Sequence, residues 1–216
     1  GRYRVFLAPA AMRSLLDLIQ WGGFSAKEQA TKRSSLQRLV DGQAQLHPSF
    51  NLTDDLATGY APAFDSLGHA RAMQLPLIRQ GRHAQAIVSA RTAAEYGYAP
   101  TGADDEHAMA LVLDAGDLAT ADATRALGDG LYLNNLWYLN YSDRSACRIT
   151  GMTRFASFWV ENGQIQVDGI RDAQALVFLF PKTSEGDRGA DPGTLTYESP
   201  EVRHAIGLLL ARLDLE

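Results

Sequence analysis

The pair Asn162-Gly163, set between "RFASFWV" (154–160) and "QIQV" (164–167), constrains the fold more than any other short stretch. Both central residues of a type I′ turn need φ > 0, so Asn-Gly between apolar runs predicts a tight antiparallel hairpin. Just upstream, "GLYLNNLWYLNY" (130–141), "ACRITGM" (146–152) and "RFASFWV" (154–160) are three strand-like runs in succession. Strict alternation places residues 155, 157 and 159 on one face and 156, 158 and 160 on the other. The aromatics Trp137, Tyr138, Tyr141, Phe155, Phe158 and Trp159 then occupy both faces of the sheet. Such a sheet needs cover on both sides, from its own helices or from another chain. The rings therefore have two readings, sheet core or ligand and partner surface.

The remaining segments supply hairpins and short helices. "YRVFLAP" (3–9) alternates as a strand. "AAMRSLLDLIQWGGF" (10–24) carries Met12, Leu15, Leu16, Ile19 and Trp21 near a helical stripe, and Gly22-Gly23 ends it. "SAKEQATKRSSLQRLVDG" (25–42) begins with Ser25 and Glu28 in capping-box spacing and predicts one mainly polar helix, stopped by Gly42. "FNLTDD" (50–55) is a short strand, and residues 73–90 form a hairpin turning at Gln80-Gly81. Ser89 caps a short helix, 100–106 is a loop, 107–117 a strand and 118–127 a short helix. Beyond the Gly- and Pro-rich stretch 180–194, Ser199-Pro200 predicts a last helix, "EVRHAIGLLLARLDL" (201–215). Strands cluster in hairpins with helices segregated between them, which is an α+β fold with a mostly antiparallel sheet.

Charge removes one function class. The net charge of −5 leaves no clustered Lys and Arg to neutralise phosphates, so nucleic acid is excluded as a partner. The six residues of "ALVFLF" (175–180) are too few to span a bilayer, so no membrane anchor is expected. A single cysteine, Cys147, forms no internal disulfide, and no signal-peptide pattern opens the chain, which predicts a cytoplasmic location. The start at Gly1, without Met, is consistent with a piece of a longer protein.

Catalytic patterns are sparse. None of the five His is followed by Glu, so the helical zinc motif that places two ligands and a base on one face is absent. Cys147 lies between Arg144 and Arg148, the kind of positive setting a thiolate needs, yet "ACRIT" alternates as a strand, where Cys is ordinarily a small core residue. Asp54-Asp55, Asp65 and Asp104-Asp105-Glu106 offer carboxylates for acid–base work, against the reading of solvated turn formers.

The order of segments resembles the C-terminal domain of the TldD/PmbA (TldE) family, the "modulator of DNA gyrase" proteins associated with metallopeptidase activity. The resemblance begins at "YRVFLAPAAMRSLLDLI" and runs through "FNLTDDL". It continues with Asp65-x-x-Gly68, Pro76-Leu77-Ile78, Gly81, Thr101-Gly102, Thr150-Gly151 and Glu161-Asn162-Gly163. It predicts a family-type domain over 1–166, followed by an atypical tail over 167–216 formed of a loop and a C-terminal helix. By resemblance the chain is of the TldE/PmbA type, with no zinc site or cofactor of its own; zinc is expected on a partner chain.

The expected function is a non-catalytic partner that binds small or unfolded peptides in a TldD/TldE-type metallopeptidase assembly. Its partners would be a TldD-type catalytic chain or a second copy. Peptides would add to an exposed sheet edge, on 131–141 or 153–160, with Trp137, Tyr138, Phe158 and Trp159 as the binding residues and no catalytic or metal-binding residue. Two rivals are a stand-alone hydrolase using Cys147 or the loop carboxylates, and a structural domain of a longer chain.

Overall fold

Tyr3 to Leu7 is too apolar and β-branched to stay solvated, and it enters two sheets as β1 (Arg2–Tyr3) and β2 (Val5–Leu7). Helix α1 (Pro9–Gly23) follows, with Pro at its first position, where no N–H is needed. It buries Ala11, Leu15, Leu16 and Ile19, while Trp21, expected on the same stripe, is 63% exposed. The backbone leaves helical geometry at Trp21 and Gly22, which turns the indole outward. A computed structural model describes residues 2–169, 174–178 and 210–212. It divides into two compact units, one from residues 1–18 and 117–215, the other from residues 19–116.

In the second of these, the helix expected over 25–42 is two short ones, α2 (Ala26–Ala30) and α3 (Gln37–Val40). Ser25 does cap α2, accepting from the Glu28 N–H. The break follows at Lys32, whose φ is 58°, and Ser34 and Ser35 are buried, Ser34 Oγ donating to the Gly23 carbonyl at 2.7 Å. Serines that bond backbone compete with helical pairing, which is why polarity alone misplaced this helix. A four-stranded sheet follows, β3 (Leu52–Asp55), β4 (Gln74–Arg79), β5 (Arg82–His83) and, after helix α4 (Ala90–Tyr96), β6 (Leu111–Leu113). Its order is β5-β4-β3-β6, antiparallel throughout. Gln80 and Gly81 turn the expected hairpin with φ of 48° and 70°. The strand expected over 107–117 is confined to β6, because Met109 and Ala110 are held by a buried side chain described below.

The other unit resumes at α5 (Ala123–Leu127), then β7 (Gly130–Leu133), β8 (Asn135–Asp143), β9 (Arg148–Arg154), β10 (Phe158–Glu161), β11 (Gln164–Gly169), β12 (Gln174–Phe178) and β13 (Leu210–Arg212). The run 130–141, expected as one strand, is two strands in different sheets, separated by Asn134. One sheet runs β11-β10-β7-β2 and the other β1-β13-β12-β9-β8. Ala11 of α1 packs with Leu131, Leu133 and Leu136, and Tyr3, Val5, Leu7, Leu139 and Trp159 close around them. The Asn162-Gly163 hairpin joins β10 to β11, with φ of 51° and 74°. Most of the expected final helix lies outside the described residues; Leu210–Arg212 within it is extended and pairs in parallel with β12. An unbroken apolar run such as "GLLLA" suits a buried strand as well as a helix. Antiparallel pairs predominate, with parallel pairing at β2–β7, β1–β13 and β12–β13, so the fold is α+β with largely antiparallel sheets.

Candidate functional site

Among the described strands, β8 is a sheet edge with exposed aromatic side chains, Trp137 and Tyr138, and it pairs with β9 alone. Its neighbours in the expected binding region are closed, since β7 lies between β10 and β2, and β10 between β11 and β7. Strand 153–160 is not continuous either: β9 ends at Arg154, Phe155 has φ 50°, and β10 begins at Phe158. The expected 155-157-159 face therefore does not exist, and of the two candidate strands only the β8 part of 131–141 has a free edge.

A register shift between Trp137 and Asn140 places Tyr138 and Leu139 opposite Gly151. This is a β-bulge, one residue more on β8 than on β9. Gly151 makes room for it: a Cβ there would stand 2.4 Å from Leu139 Cδ2 and 3.3 Å from the Trp137 carbonyl oxygen. Tyr138 absorbs the bulge with φ 50°. Trp137 is directly opposite Met152, hence on the same sheet face as Arg154. The Arg154 guanidinium carbon lies 4.1 Å from the Trp137 ring centroid and 4.7 Å from that of Phe155. Tyr138 meets Trp137 edge to face at 5.3 Å. Tyr138 is 75% exposed, Phe155 64% and Trp137 46%. Two non-glycine residues in left-handed backbone each cost about 1 kcal/mol, and here both serve rings that cover no core. Strained backbone beside solvent-facing rings makes this surface the one to test for a ligand.

The other two expected binding residues are elsewhere. Phe158 stacks at the end of a cross-strand ladder, Phe6–Tyr132 at 5.2 Å and Tyr132–Phe158 at 6.4 Å, in register across β2, β7 and β10. Trp159 turns to the opposite face, packs on the core cluster and meets Tyr3 edge to face at 5.5 Å. Both are packing residues. Arg154 and Phe155 complete the cluster instead, and the signal for them was faint: an Arg-Phe pair at a strand end.

The carboxylates expected in solvated turns are largely inside. Asp54, 2% exposed, accepts from the Met109 and Ala110 N–H groups at 3.0 and 2.8 Å and pairs with Arg71 at 3.3 Å. Arg71 also donates to the His107 carbonyl at 2.7 Å. Asp65 closes its own turn, accepting from Leu67 and His69 N–H and from His69 Nδ1. Glu106, 5% exposed, accepts from Lys27 N–H at 3.0 Å, Ser89 N–H at 3.1 Å, Ser89 Oγ at 2.9 Å and the Ser25 hydroxyl. It thereby ties the N-terminal ends of α2 and α4 together. Burial alone would raise its pKa, but hydrogen bonds from Ser25, Thr92, Lys27 and Ser89 outweigh that and hold it below the ordinary carboxylate value. Each carboxylate oxygen of Asp54, Asp65 and Glu106 faces at least one donor of the protein, so these three groups hold loops.

Cys147 is fully buried in the β8–β9 turn, with φ 47°. Burial pushes its thiol up to about 12, against a small opposing effect of Arg144. That is the reverse of what a nucleophile needs. Among the described residues, no three His, Cys, Asp or Glu side chains are grouped to hold a metal ion, so the residues described do not fit a zinc centre. No helix among them is long and apolar enough to cross a membrane.

Solved structures share this fold. A protein from Bacteroides thetaiotaomicron assigned as a modulator of DNA gyrase is 18% identical, with a TM-score of 0.63 over 76% of this chain and 36% of its own. A like-named protein from Thermotoga maritima is 17% identical, with a TM-score of 0.58 over 76% of this chain and 39% of its own. TldE from Thermococcus kodakarensis is 15% identical, with a TM-score of 0.58 over 83% of this chain and 43% of its own. The chain thus spans less than half the length of each of these relatives. No curated protein sequence matches it. A family model described as the PmbA/TldA metallopeptidase C-terminal domain matches residues 1–200. The chain belongs to that family.

Proposed function

We propose that this chain is a non-catalytic, peptide-capturing member of a TldD/TldE-type metallopeptidase assembly, with β8 as the capture edge. The observation that carries this is the exposed cluster of Trp137, Tyr138, Arg154 and Phe155 beside an edge strand. An edge offers unpaired N–H and C=O groups to an extended peptide, and exposed rings beside it add side-chain contact. The register of β8 is interrupted after Trp137 and again after Tyr141, so its uniform runs are short and the rings supply much of the affinity. Family membership supports a place in a peptidase system; the inert setting of Cys147 and the saturated carboxylates favour a partner over a hydrolase.

The test is fluorescence anisotropy of a labelled, unstructured peptide with the whole chain. Trp137→Ala with Tyr138→Ala should weaken capture by about tenfold or more, since each stacked ring is worth on the order of 1 kcal/mol. Backbone N-methylation of the peptide should weaken it too, by removing ladder donors. Affinity indifferent to both changes would overturn the β8 assignment. Peptide hydrolysis by the chain alone, lost in Cys147→Ser, would replace the partner reading by the hydrolase one.

A further inference from the structure

We infer that the β8 edge selects peptides bearing a carboxylate, and that Arg154 is the residue that recognises it; this rests on the capture reading above. The guanidinium carbon lies over two rings, 4.1 Å from the Trp137 centroid and 4.7 Å from that of Phe155, and no carboxylate among the described residues pairs with it. Ring contacts engage the charge of a guanidinium without consuming its N–H donors, which are left to bond a ligand. That planar fork matches a carboxylate in bidentate geometry, which an ammonium or an amide cannot do. The rings also displace water from the ion, which strengthens its pairing relative to an open surface arginine.

The arrangement is assembled rather than incidental. Arg154 is placed on the outer face by its register, opposite Asn135 and diagonal to Trp137. Phe155 then takes φ 50° immediately after it, while Tyr138, also at φ 50°, meets Trp137 edge to face. A cation in contact with two aromatic rings next to an unpaired strand edge suits one occupant: an extended segment whose Asp or Glu side chain reaches the guanidinium. Elsewhere on the surface the chain repels such a ligand, with a net charge of −5. Long-range steering is therefore unfavourable, and selection belongs to contacts made after docking, which appear in the dissociation rate.

Three fluorescein-labelled peptides test this, each an alternating Thr-Val decapeptide with Glu, Gln or Lys at one central position. On the whole chain the Glu peptide should bind about tenfold more tightly than the Gln peptide, as a charge-assisted bidentate pair replaces a neutral one, and the Lys peptide should bind least. The Glu-over-Gln preference should appear in dissociation rates and shrink as ionic strength rises. Arg154→Gln should abolish the preference, and Arg154→Lys should retain only part of it, since charge remains but the fork is lost. Circular dichroism of both variants checks that the fold is kept. Equal binding of all three peptides, still sensitive to Trp137→Ala, would overturn carboxylate selection and leave capture standing. Absence of binding for every peptide would overturn both. A preference that survives Arg154→Gln would assign recognition to another residue and refute the role of Arg154.

Discussion

Replacing Glu106 should separate two helices that otherwise share one carboxylate. In Glu106→Ala four donors lose their acceptor: the Lys27 and Ser89 N–H groups and the Ser25 and Ser89 hydroxyls. The hydroxyls can rotate to other partners, but the two backbone N–H groups cannot. Each unsatisfied buried donor costs about 1–3 kcal/mol, which puts the loss at about 3–5 kcal/mol once the charge-assisted character is included. Against a typical stability of about 5–15 kcal/mol for a protein of this kind, that is a large fraction. Glu106→Gln keeps the shape but turns an amide NH2 toward one pair of donors, and should cost roughly 2 kcal/mol. The pH dependence has a definite sign. Because the folded carboxylate titrates below its ordinary value of 4.5, its contribution is complete above that pH and is lost as pH falls through the folded pKa. Urea unfolding followed by circular dichroism at several pH values measures all three quantities. A loss under about 1 kcal/mol in Glu106→Ala would refute the reasoning. So would parallel stability–pH profiles for the wild type and Glu106→Gln through the acid range.

Cys147 should resist a thiol reagent such as Ellman's at mildly alkaline pH and react fully once denaturant opens the chain, because burial holds the thiol near 12. Rapid labelling of the folded protein would contradict that. Gly102→Ala should be severe: its φ is 80°, and a Cβ there would stand 2.0 Å from the Ala70 carbonyl oxygen. A loss of about 3 kcal/mol or more is expected by thermal unfolding, against under about 0.5 kcal/mol for Gly116→Ala, where a Cβ meets nothing within 4 Å.

Where backbone conformation is set by the residues themselves, the sequence was readable. Gln80-Gly81 and Asn162-Gly163 turn as their side chains dictate, and Ser25 and Ser89 cap the helices they precede. Where long-range contacts decide, it was not. Asp54 and Glu106 look like loop acids because their donors, Met109, Ala110, Lys27 and Ser89, are distant along the chain. Of the spacings that carried the family resemblance, Thr101-Gly102 is likewise set by a distant segment, whereas Asp65-x-x-Gly68 closes a local turn. Gly102 admits the Ala70 carbonyl, and the Gly68 N–H bonds back to the Asp65 carbonyl. Of the expected binding set, Trp137 and Tyr138 are on the open edge. Phe158 and Trp159 are not; composition cannot distinguish a ring that covers core from one that faces water. The contact of Arg154 with Trp137 and Phe155 was not legible, because strict alternation contains no bulge.

The bulge has one more consequence. Leu136 is buried before it and Leu139 and Tyr141 are half-buried after it, so the inward parity of β8 changes across Tyr138. Tyr138 is a supernumerary residue: deleting it would leave the same side chains facing the core and a straighter strand. A straight nine-residue edge is a template for pairing with another copy and for aggregation. With the extra residue in place the register is interrupted after Trp137, and a second shift after Tyr141 breaks it again, so β8 offers no long uniform run for such pairing.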